Sequence, residues 1–316
     1  MLLRLAQRFA VLLASLLVSS VVVFGFMRVL PGDPARVALG VNASDEAVAQ
    51  LRTQFGLDRP VSVQYLDWIL GLVTLDPGIE FISRAPIGPQ VADRMLVTLW
   101  LVGAAMVLAV LVALPVGTWM AVRHRHADGV AASALSQVGV AVPAFLAAIL
   151  LIALFAVRLG WLPSGGWVTP AEDPVQFARR LVLPAVSLAL VQGAVLARYV
   201  RSSVLDVLRE DYLRTARAKG LRPMPALARH GLRNAAVPVI TVMGLQLATL
   251  LIGAVVVERV FVIPGLGSLL LDSVADRELL TVQTVVMVLV VAVLVINFVV
   301  DALYLLIDPR LRVSSR

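Results

Sequence analysis

Apolar residues in this chain gather in long unbroken runs rather than alternating along strands or recurring on one helical face. A bilayer core of about 30 Å takes roughly 20 helical residues. Lipid cannot satisfy backbone N–H and C=O groups, so such a run crosses as a helix that satisfies its own. Six runs bounded by charges or Gly/Pro clusters predict transmembrane helices at about Phe9–Met27, Met95–Ala121, Leu135–Val157, Leu181–Ala197, Ala236–Val257 and Thr281–Ile307. The fourth is short, polar at Gln192 and interrupted by Pro184; read instead as a buried or re-entrant segment, it would leave an odd number of spans and put the termini on opposite sides. The first follows Arg4 and Arg8 in the manner of a signal peptide. It is longer than a usual h-region, however, and ends in Phe24, Phe26, Met27 and Arg28 where a small-residue cleavage site is expected, so it is kept as a span.

Charge fixes the expected orientation, because cytoplasmic loops are enriched in Lys and Arg. Residues 1–8, 122–134, 198–235 and 308–316 hold 16 of the 27 basic residues, whereas the longer intervening loops 28–94, 158–180 and 258–280 hold 11. Both termini are therefore expected in the cytoplasm of a bacterial cell, in a multi-pass protein of the cytoplasmic (inner) membrane. The net charge of +7 follows from this topology, which removes nucleic acid as the implied partner and leaves membrane lipid. A content of 60% hydrophobic and 15% charged residues excludes an ordinary soluble enzyme. The expected fold class is all-α, a polytopic integral membrane protein: residues 1–94 form the first span plus a large extracytoplasmic loop, and 95–316 a core of five spans. In that loop Pro31-Gly32-Asp33-Pro34 predicts a turn, Ser44 the cap of an amphipathic helix through Ala47, Val48 and Leu51, and Val61–Val73 a second helix whose Tyr65 and Trp68 suit the membrane interface.

Several chemistries are missing. There is no cysteine, so no disulfide, thiolate metal site or cysteine nucleophile. The single lysine, Lys219, follows Ala218 rather than the glycine that a phosphate-binding loop requires. His124, His126 and His230 have no accompanying ligand set, and no serine-hydrolase or zinc-protease pattern occurs. No cofactor is expected on the chain itself. Asp301 is the one ionisable residue inside a predicted span; an ion-coupled carrier would use such a group, and Arg310 or Arg312 could equally neutralise it. Gln192, Gln246 and Asn297 are milder polar groups, read as helix–helix hydrogen bonds or as candidate lining of a pathway.

The segment between the fourth and fifth runs is long, basic and still helical in pattern. Arg201 to Lys219 contains no Pro or Gly, Gly220 supplies a stop, and Pro223 and Pro225 can open a new helix toward Pro238. A basic loop of this kind could serve only to enforce orientation or to hold anionic lipid.

The residues also carry a resemblance. Asp211-Tyr212-Leu213-Arg214-Thr215-Ala216-Arg217-Ala218-Lys219-Gly220, followed by His230-Gly231-Leu232-Arg233-Asn234-Ala235 and Pro238, resembles the cytoplasmic coupling motif of ABC importer permeases, and more narrowly the dipeptide/oligopeptide/nickel family. Against the general motif, Ala216, Gly220 and Leu232 match while its acidic residue, isoleucine and proline do not; Arg-Thr-Ala-Arg-Ala-Lys-Gly is the form of the narrower branch. Leu30-Pro31-Gly32-Asp33-Pro34, Gly56-Leu57-Asp58, Val260 to Gly267 and Asp308-Pro309-Arg310 resemble the same branch in the same order. The resemblance implies a type I ABC importer permease fold and a subunit that pairs with a homologous second permease to form a pathway for di- or oligopeptides. It implies an extracytoplasmic substrate-binding protein that feeds the pathway, and one or two ABC ATPase subunits that bind the ATP and Mg. Coupling would run through Tyr212, Arg214, Thr215, Ala216, Arg217, Ala218, Lys219, Gly220 and Leu232, with Ala216 and Ala218 keeping the docking surface shallow. An ion-coupled secondary transporter using Asp301 is the alternative.

Overall fold

The computed structural model describes residues 2–29, 33–39, 43–221 and 223–307. Among these residues the regular structure is helical: α1 (Leu2–Val29), α2 (Pro34–Leu39), α3 (Asp45–Gln54), α4 (Val61–Val73), α5 (Ile87–Val122), α6 (Ala127–Ala141), α7 (Ala144–Leu151, continued by a π-helical stretch Ile152–Arg158), α8 (Pro174–Leu208), α9 (Asp211–Ala218), α10 (Pro223–Ala226, continued by a π turn Leu227–Gly231), α11 (Leu232–Val260), α12 (Leu266–Ala275) and α13 (Leu279–Ile307). Five helices, α1, α5, α8, α11 and α13, are long and apolar enough to cross a membrane, and the α6–α7 pair makes a sixth span.

That sixth span differs from expectation. The predicted straight helix over Leu135–Val157 is two helical segments bent by 99°. Pro143 brings no N–H and pushes the residue before it out of helical conformation, and Val142 is accordingly extended at φ −80°, ψ 120°. The segment suspected of being re-entrant, Leu181–Ala197, is instead the middle of the continuous 35-residue α8, and 61% of its apolar window is buried. Asp173 accepts from the N–H groups of Val175 and Gln176 and starts this helix, with Pro174 in the first turn.

The chain forms two compact units. One comprises residues 1–8, 99–263 and 296–316. Here α8 is the hub, packing against α6, α7 and α11. Ser136 Oγ donates to the Ala194 carbonyl at 2.8 Å, and Gly139 lies where an added Cβ would stand 3.0 Å from Ala194 Cβ. Arg8 and Asp301 form an ion pair at 2.7 Å in this unit, joining the start of α1 to the last turns of α13.

The other unit comprises 9–98 and 264–295. Ser44 caps α3 through the Ala47 N–H, as its sequence predicts, and Asp33 Oδ1 accepts from Ala35 N–H at the start of α2. Pro31 and Gly32 of the predicted turn lie outside the described residues. Trp68 is buried and Tyr65 half-buried: both pack on Phe24, and Tyr65 Oη is 2.8 Å from Ser20 Oγ. The turn after α4 is held by a buried carboxylate. Glu278, 4% exposed, accepts from the N–H groups of Phe81 at 2.7 Å, Ile82 at 2.6 Å and Ser83 at 3.4 Å, while Glu80 accepts from Ser83 and Thr281 hydroxyls. Charge-assisted bonds of this kind are worth about 1.5–3 kcal/mol each when their loss strands a buried donor. Glu278→Ala is therefore expected to cost about 2–4 kcal/mol and Glu278→Gln clearly less, since the amide oxygen still accepts; thermal unfolding of the purified chain in detergent measures both.

Candidate coupling site

The segment singled out in sequence folds into a small platform at the C-terminal end of α8. That helix closes with Arg209 and Glu210 N–H groups donating to the carbonyls of Asp206 and Val207. The Glu210 carbonyl then accepts from Leu213 and Arg214 N–H at 3.1 and 3.2 Å, so α9 begins with almost no linker. Within α9, Leu213 and Ala216 stand three residues apart on one face and are 1% and 9% exposed. They join a buried cluster with Val204 and Val207 of α8, Ala226 of α10, Leu227 of the π turn and Ala235 of α11. The opposite face presents Asp211, Tyr212, Arg214, Thr215 and Ala218 to solvent, followed by Lys219. The side chain of Arg217 lies outside what the structure describes. Ala218 stands on the outer face; Ala216 does not, and its small size serves the packing beneath α9 instead.

The end of α9 is fixed by backbone geometry. Gly220 has φ +92°, Lys219 N–H donates to Thr215 O and Leu221 N–H reaches back to Ala216 O at 3.3 Å. This is the closing pattern in which a left-handed glycine stops a helix. Nothing lies within 4 Å of a Cβ added at Gly220, so the glycine is needed for its backbone angle alone. Gly231 is the converse case: an added Cβ would meet Leu227 Cδ1 at 2.7 Å and Val207 Cγ1 at 2.9 Å.

Two polar contacts tie the platform to α11. Asn234 Nδ2 donates to Tyr212 Oη at 3.0 Å, and the buried Ser203 hydroxyl donates to the Ala235 carbonyl at 2.8 Å. Leu232, the remaining predicted contact residue, is exposed at the first position of α11. The Arg214–Asp211 pair at 3.4 Å is solvated and adds little to stability, leaving the outer face basic. Of the residues named from sequence, Tyr212, Arg214, Thr215, Ala218, Lys219 and Leu232 are exposed and Ala216 is buried, while the inner support, Ser203, Val207, Ala226 and Leu227, was not named. The signal available for it was the Leu213–Ala216 spacing, which marks the inward face of α9.

The predicted pathway residues are placed differently. Gln246 Nε2 donates to Gln192 Oε1, a bond between α11 and α8. Asn297 has a buried Oδ1 without a hydrogen-bond partner. Asp301 is spoken for by Arg8, with the two side chains 43% and 57% exposed; Arg310 and Arg312, named as partners from sequence, lie outside the described residues, as does Asp308-Pro309-Arg310.

Two family models match this chain: the binding-protein-dependent transport system inner membrane component over residues 113–313, and the N-terminal component of the same transport systems over 1–101. The chain belongs to this family. The glutathione transport system permease protein GsiC of Salmonella choleraesuis (strain SC-B67) is 43% identical over 307 residues, covering 97% of each chain. The protein of that name from Escherichia coli (strain K12) is 42% identical over the same length, again 97% of each. Among solved structures, a chain of the MetNI methionine ABC transporter in an inward-facing conformation superposes with TM-score 0.57 at 20% identity, covering 69% of this chain and 96% of that one. A chain of an amino acid ABC transporter crystallised with histidines gives TM-score 0.53 at 17% identity, covering 68% and 93%. The family makes this chain an ABC importer permease, a multi-pass membrane subunit of the type I permease-like all-α fold, whose relatives are permease subunits.

The platform geometry makes a prediction for this permease. Gly231→Val forces branched carbon into the Leu227–Val207 contact and should loosen α9 strongly, whereas Gly220→Ala, strained by about 1 kcal/mol, should loosen it less. Limited trypsin digestion of the purified permease at Arg214 and Lys219 is expected to accelerate in that order.

Proposed function

We propose that this permease takes up peptides of di- to oligopeptide size, with α9 and the Gly220 corner as the element that docks the ATPase subunits. The observation that carries this reading is the two-faced build of α9: Leu213 and Ala216 lock it into the protein while Tyr212, Arg214, Thr215, Ala218 and Lys219 are held outward on a short, rigid support. Such a helix suits a groove on a partner and can transmit the partner's movement. Arg217, Gly220 and Leu232 complete the proposed contact. A homologous second permease forms the other wall of the pathway, with Asn297 as its polar lining on this side and residues 95–316 as the core, Gln192 and Gln246 being bonded to one another between α8 and α11. One or two ABC ATPase subunits bind ATP and Mg, and a binding protein delivers substrate at the large loop of 28–94. Both termini then lie in the cytoplasm, as the distribution of basic residues supports. Peptide cargo is supported by 43% identity to a permease named for glutathione, itself a tripeptide.

Ion coupling through Asp301 is not favoured, because its carboxylate already faces the Arg8 guanidinium at 2.7 Å. In the assembled transporter, Gly220→Pro, which cannot adopt φ +92°, should reduce peptide uptake at least about tenfold and detach hydrolysis from transport, and reversal of charge at Arg217 should act in the same direction. Asp301→Asn should leave uptake within about twofold of wild type. Uptake of radiolabelled peptide, measured beside ATPase activity of the purified complex, decides; loss of uptake with Asp301→Asn and not with Gly220→Pro would overturn the assignment.

A further inference from the structure

The unit formed by residues 9–98 and 264–295 carries an open cavity of about 590 Å³ between the end of α1, helices α3 and α4, the turn after α4 and the start of α13. Its size falls within the range of small-molecule clefts, and most of its wall comes from the loop of 28–94 at which substrate delivery is proposed. The charges on its wall are unequal in status. Arg52 is paired with Asp33 at 3.2 Å and Arg59 with Asp67 at 3.1 Å, so these four neutralise one another. Two charges are left over. Arg28 has no carboxylate partner among the described residues: its guanidinium donates to the Gln64 amide oxygen and rests 5.0 Å from the centre of the Phe24 ring. Asp76, exposed on the wall, has no cationic partner among the described residues.

The surface under Arg28 is a packed aromatic pair. Trp68 lines the same cavity, is 4% exposed, and its indole N–H is buried without a hydrogen-bond partner. Trp68 stacks on Phe24 at 6.1 Å, so the unpaired cation rests on a fixed aromatic support. Arg28 offers a carboxylate its charge and its guanidinium donors, while Asp76 offers an ammonium group its counter-charge.

We propose that this cavity is a binding site for a zwitterionic ligand of tripeptide size, with the ligand carboxylate at Arg28 and its ammonium group at Asp76. The inference deepens the peptide-uptake reading and rests on it for what the site is for: a place on the permease itself that tests both ends of a peptide. The two paired salt bridges keep the remaining wall neutral, so the site selects a molecule carrying both charges over one carrying either alone.

The test uses the full-length permease in lipid nanodiscs and titration calorimetry with three probes: trialanine, trialanine amide, which lacks the carboxylate, and N-acetyl-trialanine, which lacks the ammonium group. Trialanine should bind, and each capped probe should bind about tenfold or more weakly. Arg28→Gln should erase the preference for the free carboxylate and keep that for the ammonium group; Asp76→Asn should do the reverse. A folding defect would weaken all three probes alike, and the wild-type ranking of the three then decides. Equal binding of the three to wild type, absence of trialanine binding, or loss of both preferences in either variant alone would overturn the site. Uptake by the assembled transporter is read in parallel. Uptake of trialanine without charge-selective binding removes this site and leaves the peptide reading standing, whereas charge-selective binding with no uptake of any peptide removes that reading and leaves the site.

Discussion

Helices in a bilayer gain little from hiding apolar side chains, because lipid tails are as apolar as they are, so association depends on how closely backbones approach. The unit built around α8 rests on that approach. At Gly117 an added Cβ would stand 2.6 Å from both the Ala197 carbonyl oxygen and Val200 Cβ, which lets α5 come against α8 nearly backbone to backbone. Gly139 and Ala194 bring α6 in on another side, where the Ser136 hydroxyl can reach the Ala194 carbonyl. Everything proposed for coupling is attached to the end of this tightly held helix.

The platform extends the same logic past the membrane-spanning part. Leu213 and Ala216 continue the cluster made by Leu196, Ala197, Val200, Val204 and Val207 along α8, so α9 is packed as a lateral extension of that helix rather than hung on a loop. Ser203 and Ala235 then join α8 to α11 beneath it, and Gln192 and Gln246 join the same two helices again about 16 Å further along. Two ties at separate heights make α8 and α11 one body with respect to a force applied at α9.

How much of this could be read in the sequence follows from range. Five of the spans are legible because each is a local property, twenty or so apolar residues in a row. The outer face of α9 is legible because its motif is contiguous, and Gly220 because a helix stop is a local requirement. The break in the third span was signalled by Pro143, but a run of apolar residues on both sides outweighed it. What stayed hidden is non-local: Glu278 capping a turn nearly two hundred residues earlier, Arg8 answering Asp301, and Tyr65 and Trp68 turned inward onto Phe24. An aromatic at interface level and an aromatic in a core read alike until their neighbours are known.

The right-angled joint at Val142–Pro143 has a mechanical consequence. A straight helix passes an axial thrust from one end to the other, since its ladder of hydrogen bonds is stiff in that direction. A helix bent by 99° turns such a thrust into rotation about the corner. Both limbs, α6 and α7, are seated on α8, so the third span acts as a bracket that steadies the hub against sideways displacement. On the proposed coupling, force applied at the platform would be carried along α8 and α11, the two long helices that meet there.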